Sequence, residues 1–187
     1  MQFRNVIEKS LEVMSGGGVI LYPTDTIWGI GGDASNESTV QKVYTIKNRA
    51  ESKSLVSLVS DIEMLQSLTF VSASVIELLK NSERPTTIIY SAISGIHPSA
   101  RSENGSAAVR VVKNEFCKAL ISALKRPLLS TSANLSGQPS PTDFQSVSLN
   151  IKESVDYIVP LYQNERIDSR PSRILKVNGD EVIVIRE

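Results

Sequence analysis

The chain has 187 residues, 41% of them hydrophobic and 21% charged, with a formal net charge of zero. That is enough for one globular domain to bury a core without staples, and it excludes a bulk polyanion binder. No apolar run reaches membrane-spanning length. The N-terminus, MQFRNVIEKSLEVM, carries charges where a signal peptide needs an apolar stretch. A single cysteine, Cys117, excludes an internal disulfide and a cysteine metal cluster. A cytoplasmic protein with no membrane association is expected, so the glycosylation pattern at Asn134-Leu135-Ser136 reads as accidental.

In chain order, Phe3, Val6, Ile7, Leu11 and Met14 have helical spacing, and the run GGG at 16–18 ends that helix. VILY (19–22) is a short buried strand, and TDTIWGIGGDAS reads as a glycine-rich polar loop. Residues 37–47 form a helix with Ser35 or Asn36 as its cap. LVSLVS (55–60) is a strand, Asp61 caps a short helix, and 73–80 make another. TTIIYS (86–91) and AAVRVV (107–112) are strands, and 114–125 is an amphipathic helix stopped by Pro127. PLLST is a strand that runs out into a polar loop, Asp143 caps a short helix, and YIVP (157–160) is a strand. RILKVNGDEVIVI alternates on both sides of Asn178-Gly179, a hairpin signal. Alternating helices and strands with a final antiparallel hairpin predict an α/β fold: a twisted, open, mixed sheet with flanking helices, in one domain spanning 1–187.

Four polar loops fall at element ends: 23–33, 47–54, 130–142 and 166–173. In open α/β sheets ligands bind where such loops converge. The glycines of GIGG fit neither dinucleotide nor P-loop spacing. Lys47, Arg49 and Lys53 place three cations in seven residues where a helix ends. They either answer the helix C-terminus or clamp a polyphosphate. Ser132 and Asn134 suit phosphate or ribose oxygens, or simply a turn. Ser130 lacks the G-x-S-x-G surroundings of a hydrolase nucleophile. The sole histidine, His97, lies in a turn and cannot build a multi-histidine metal site. Trp28 reads as core. Residues 84–126 hold seven Lys/Arg against two acids, a local positive region that faces either a ligand phosphate or solvent.

In combination, YPTDTIWGIGGDA, IKNRAESKSLVSLV and PLLSTSANLSGQPSPT, in this order, resemble the YrdC/TsaC family of threonylcarbamoyl-AMP synthases, from about residue 3 to residue 187. The resemblance implies a YrdC/RibB-like sheet around a deep, positively charged cavity. It implies a nucleotidyltransferase that joins L-threonine, bicarbonate and ATP into threonylcarbamoyl-adenylate and releases pyrophosphate. Mg2+ would be held by the ATP phosphates and not by protein side chains. The product would feed the t6A modification of tRNA through a downstream tRNA threonylcarbamoyl-transferase complex, with tRNA itself as a further partner.

Carried over residue by residue, the resemblance assigns Thr26, Arg110, Ser130 and Ser172 to threonine, together with position 58, where Leu58 replaces a histidine frequent in the family. It assigns Arg49, Lys53, Ser106, Ser132, Asn134, Ser140 and Arg186 to ATP, and Lys47, Arg49 and Lys53 to the phosphates as the catalytic cations. Two more positions depart from the family pattern: Ser54 stands for a proline and Arg173 for a threonine. The segment 161–172 is a candidate lid. The competing readings are an RNA-binding module and a YciO-like paralogue with a different substrate. The low aromatic content of 5% counts against the first of these.

Overall fold

The computed structural model describes residues 2–48, 55–165, 171–179 and 181–187. In chain order the elements are α1 (Gln2–Ser15), β1 (Ile20–Tyr22), β2 (Gly29–Gly31), α2 (Glu37–Lys47), β3 (Val56–Val59), α3 (Ile62–Leu68) and α4 (Ala73–Asn81). They continue with β4 (Thr86–Tyr90), β5 (Ala107–Val111), α5 (Glu115–Leu124), β6 (Leu128–Ser132), α6 (Leu149–Ser154), β7 (Tyr157–Ile158), β8 (Arg173–Asn178) and β9 (Glu181–Arg186). Several helices start at a side-chain cap, which satisfies an N–H that has no intrahelical partner. The Asn36 side chain accepts from the Thr39 N–H, Asp61 from Met64, Asn114 from Cys117 and Ser148 from Ile151.

The strands form one nine-stranded sheet in the order β7-β1-β2-β6-β3-β5-β4-β8-β9. The pairs β1/β7, β3/β5 and β4/β8 are parallel and the others antiparallel. β6 joins the two halves: Leu128–Ser130 pair with β3, while Thr131 and Ser132 pair with β2. The sheet is therefore mixed, with helices against it, as the alternation of elements predicts.

Strand side chains alternate between faces, and the two faces are covered differently. One face carries Val59, Ile88, Val109, Leu129, Leu175 and Val177 into a core with Val40, Val43 and Tyr44 of α2, Leu65 of α3 and Val75 of α4. The other face carries Leu58 and Leu128 into a second core beneath α1 and α5, against Val6, Met14, Phe116 and Leu120. Trp28 is fully buried in the first core and stacks on Phe144 at 5.0 Å.

Three local expectations are corrected. The run GIGG is not all loop, because Gly29–Gly31 form β2. Glycine is required there by close approach: a Cβ on Gly31 would lie 1.7 Å from the Leu129 carbonyl oxygen. Asp143 does not cap a helix. Its carboxylate accepts from the Ser146 N–H in a turn, and the helix begins only after Ser148. The hairpin closes on the pair Asn178–Glu181, one position later than Asn178-Gly179 implies, with Gly179 at φ +61°. β9 is an edge strand with Ile183, Val184 and Ile185 exposed. Among the described residues no helix is long and apolar enough to cross a membrane.

Asp156 ties β1, α2 and the segment before β7 together. Its carboxylate accepts from the Val19 N–H at 2.7 Å and from the Lys42 ammonium at 2.6 Å. Partial burial pushes this carboxyl up, but Lys42 and the Val19 N–H outweigh the burial and hold it below its ordinary value. A carboxyl depressed by folding contributes stability above its unfolded pKa of about 3.9 and loses it as pH falls through the lower folded value. Asp156→Ala should destabilise the protein by about 1 kcal/mol at neutral pH. Urea denaturation across pH should show the gap to wild type narrowing below about pH 4.

Candidate functional site

The second face of the sheet is not covered along its whole length. Beyond the reach of α1 and α5 it opens into a cavity of about 350 Å³, a size suited to a small-molecule ligand. Its floor is built by alternation: Ala108 and Arg110 of β5, Thr87 and Ile89 of β4, and Val56 of β3 line it. Ser130 and Ser132 of β6 and Ile174 of β8 complete the sheet side, and Thr24, Thr26, Ser140, Ser172 and Arg186 stand around it.

Arg110 is almost fully buried, and its guanidinium lies 3.1 Å from the equally buried carboxylate of Asp25. The contact is an ion pair without hydrogen-bond alignment: neither Asp25 oxygen nor Arg110 Nε has a hydrogen-bond partner among the described residues. The Thr24 hydroxyl fixes the backbone that carries Asp25. It accepts from the N–H groups of Thr26 and Ile27 at 3.1 and 3.2 Å and donates to the Ile27 carbonyl at 2.7 Å. Below the pair, the Cys117 thiol donates to the Pro23 carbonyl at 3.3 Å. Burial, then the negative charge of Asp25, pushes that thiol far above its ordinary value, with Arg110 opposing. The only cysteine is therefore a neutral core group at physiological pH and not a nucleophile.

On another wall the Ser172 and Thr87 hydroxyls share a hydrogen bond of 2.8 Å, and the Arg186 guanidinium donates to the Ser172 carbonyl at 2.7 Å. The C-terminal hairpin is latched to the floor in this way. The polar loop after β6 is held from α2. Lys47 is 2% exposed, and its ammonium donates to the Ser132 carbonyl at 2.6 Å, the Ser132 hydroxyl at 3.3 Å and the Asn134 side-chain oxygen at 3.2 Å. The Asn134 amide group in turn donates to the Leu135 and Gln138 carbonyls.

The structure thus brings Thr26, Arg110, Ser130, Ser132, Ser140, Ser172 and Arg186 around one cavity. Leu58 does not belong there. It lies on the same face, directly opposite Arg110 in the β3/β5 register, but is fully buried in the second core with Phe116 and Leu120 of α5. A leucine at this depth is core, so its assignment to a substrate is corrected. Ser106 lies just before β5 and does not line the cavity; its N–H donates to the Asn104 side chain. Asn134 and Lys47 support the loop and do not line the cavity either. Arg49 and Lys53 lie outside the described residues, as does part of the candidate lid, 166–170.

His97 caps the 3-10 turn Pro98–Ala100, its Nδ1 accepting from the Ser99 N–H. Arg173 alternates away from the cavity and faces a hollow with Arg84. Of the seven cations in 84–126, only Arg110 lines the cavity. Arg101 donates to the Ile96 carbonyl, and Arg126 pairs with Asp33 at 2.8 Å. Arg84, Lys113 and Lys118 surround a separate hollow of about 430 Å³, where Lys113 is engaged by the Ser82 and Glu83 carbonyls. Asp25, Thr24 and Thr87 are members of the site that sequence reasoning did not single out. The signal was there in the paired hydroxyls of TDT and in the TT that opens β4.

The profile of the Sua5/YciO/YrdC family, described as "Telomere recombination", matches residues 12–187. The chain belongs to this family. Among its relatives, the threonylcarbamoyl-AMP synthase of Idiomarina loihiensis is 32% identical over 171 residues, which cover 88% of this chain and 90% of that one. The structure of P. abyssi Sua5 complexed with L-threonine superposes with a TM-score of 0.84 at 22% identity, covering all of this chain and 54% of that one. E. coli YciO gives a TM-score of 0.84 at 24% identity, covering all of this chain and 90% of that one. At these identities the two structures establish the Sua5/YciO/YrdC fold and no more. This chain spans about half the length of the P. abyssi protein.

Lys47→Met keeps the length of the side chain and removes its donors, leaving the Ser132 carbonyl and the Asn134 oxygen without the ammonium. The expected loss is about 1–3 kcal/mol of stability, read by chemical denaturation, with faster proteolytic cleavage within 132–140.

Proposed function

We propose that the protein is a threonylcarbamoyl-AMP synthase, an enzyme that makes threonylcarbamoyl-adenylate and pyrophosphate from L-threonine, bicarbonate or CO2, and ATP. The observation that carries this reading is a cavity lined by hydroxyls with a buried guanidinium, Arg110, in its floor. A planar fork of this kind suits a carboxylate, and the hydroxyls around it suit the remaining polar groups of a hydroxy amino acid and a nucleotide. The relatives named for this activity support the same reading.

In the reaction, the neutral threonine amine attacks CO2 to give a carbamate and a proton, or bicarbonate to give a carbamate and water. A carbamate oxygen then attacks the α-phosphorus of ATP, the bond to the bridging oxygen breaks, and pyrophosphate leaves. No protein nucleophile is needed, in keeping with a cysteine held neutral in the core. The protein contributes positioning and charge stabilisation. Arg110 holds the amino-acid carboxylate, while Thr26, Ser130 and Ser172 face the threonine. Ser132, Ser140 and Arg186 face the nucleotide. Arg49 and Lys53 act on the phosphates, with Lys47 fixing the loop that carries Ser132.

Mg2+ would enter with the ATP phosphates, where it would offset phosphate charge; the Asp25 carboxylate beside the cavity is engaged by Arg110. The product would pass to a tRNA threonylcarbamoyl-transferase complex in the cytoplasm, with tRNA as a further partner.

Pyrophosphate release from ATP should require threonine and bicarbonate together, because the attacking carbamate forms only from both. In CO2-scrubbed buffer with threonine and ATP the rate should fall to background. Full activity there would exclude a carbamate, and an absolute requirement for tRNA would favour an RNA-binding role. Arg49→Ala should lower kcat by on the order of 10²–10³, the loss typical for one preorganised donor, without changing the denaturation midpoint.

A further inference from the structure

We propose that Asp25 is a positioning residue: it fixes the plane of the Arg110 guanidinium so that the rest of the fork faces the substrate carboxylate. This rests on the reading of the cavity as an amino-acid site. Both side chains are more than nine-tenths buried, and their charged groups lie 3.1 Å apart. A buried guanidinium without a partner is strongly unfavourable, so one anion has to accompany Arg110 in the empty site. Asp25 is that anion.

The two residues are held on different elements by independent means. Arg110 sits mid-strand in β5, paired with Leu58 of β3 on one side and Thr87 of β4 on the other. Asp25 sits in the tight turn after β1, locked by the Thr24 hydroxyl. The strand and the turn together set the separation, and the carboxylate meets the guanidinium at one Nη2 corner. Nε has no hydrogen-bond partner among the described residues. A guanidinium carries five N–H donors in a rigid plane. With the stem held in β5 and one corner drawn to the carboxylate, rotation of the plane about the stem is restricted, and so is the direction of the other donors. The pair is also neutral overall, so an incoming carboxylate is recognised by the aimed N–H donors and not by a bare positive charge. That favours a planar, bidentate anion over a halide or any diffuse one.

The test uses the full-length protein with 15N-labelled arginine. In the ligand-free wild type, the Arg110 Nε–H signal, assigned by its loss in Arg110→Lys, should be resolved and slow to exchange with water. Asp25→Asn should broaden it or speed its exchange. In turnover assays Asp25→Asn should raise KM for threonine at least tenfold while KM for ATP changes less than twofold. The double variant Asp25→Asn/Arg110→Lys should be no worse for threonine than Arg110→Lys alone. A fast-exchanging, averaged Nε–H in the wild type would overturn the proposal even if Asp25→Asn fails to fold. So would a double variant in which the two losses multiply, because Asp25 would then act on substrate directly. The spectrum of the free protein makes no reference to substrate. An ordered guanidinium that does not respond to threonine would support the pairing and refute the amino-acid reading of the cavity.

Discussion

The sheet has two faces, and the helices cover them unequally. α2, α3 and α4 pack along the first. α1 and α5 close the second only over the end where Leu58, Leu128 and Val112 lie. The half-face left open sets Arg110, Thr87, Ser130 and Ser132 among Val56, Ile89, Ala108 and Ile174, a few placed polar groups in an otherwise apolar cavity. Everything that distinguishes this site follows from that division. Strand alternation decides that Arg110 points in while Val109 joins the core. Leu58 is on the same face as Arg110, and it is the cover of the second core beneath α1 and α5, not alternation, that keeps it out of the cavity.

Placing charge on a partly closed face sets a second requirement. Among the described residues, the buried cations Arg110 and Lys47 are each tied to a different part of the chain. Arg110 meets a carboxylate, and Lys47 meets the oxygens of the Ser132–Asn134 loop. Breaking either arrangement leaves an uncompensated polar group in a low-dielectric interior. These contacts hold β1, α2, β5 and β6 in mutual register around the cavity, and they do so with groups that an apolar core could not supply. The polar groups of the floor are thereby held in place, which suits a site that works by positioning.

Much of this was legible in the residues. Helix limits could be read because caps such as Asn36 and Asp61 are local signals, and strands could be read because apolar alternation is local as well. The SxN loop stood out because thirteen residues dense in hydroxyls exceed what a turn needs. What could not be read depended on contacts distant in sequence. Gly31 looks like a loop glycine until Leu129 is brought against it. Asp25 looks like one more polar residue in TDT until Arg110 arrives from 85 positions later. Lys47 looks like an exposed cation at a helix end, but the loop from β6 folds over it. Asp143 and Ser148 are both good caps in isolation, and only packing against α6 selects the second.

The walls of the cavity come from nearly both ends of the chain, from Thr24 to Arg186, and the sheet pairs Ile20 with Tyr157 and Thr86 with Arg173. Contacts of such long sequence separation form slowly, because a large loop must close before any of them is rewarded. During synthesis, β1 through β6 emerge without the β8–β9 wall, and Arg110 enters a floor still open on the hairpin side. The cavity is therefore complete only when β8 and β9 have docked, and a ligand held by Ser172 and Arg186 cannot stabilise any state that lacks them.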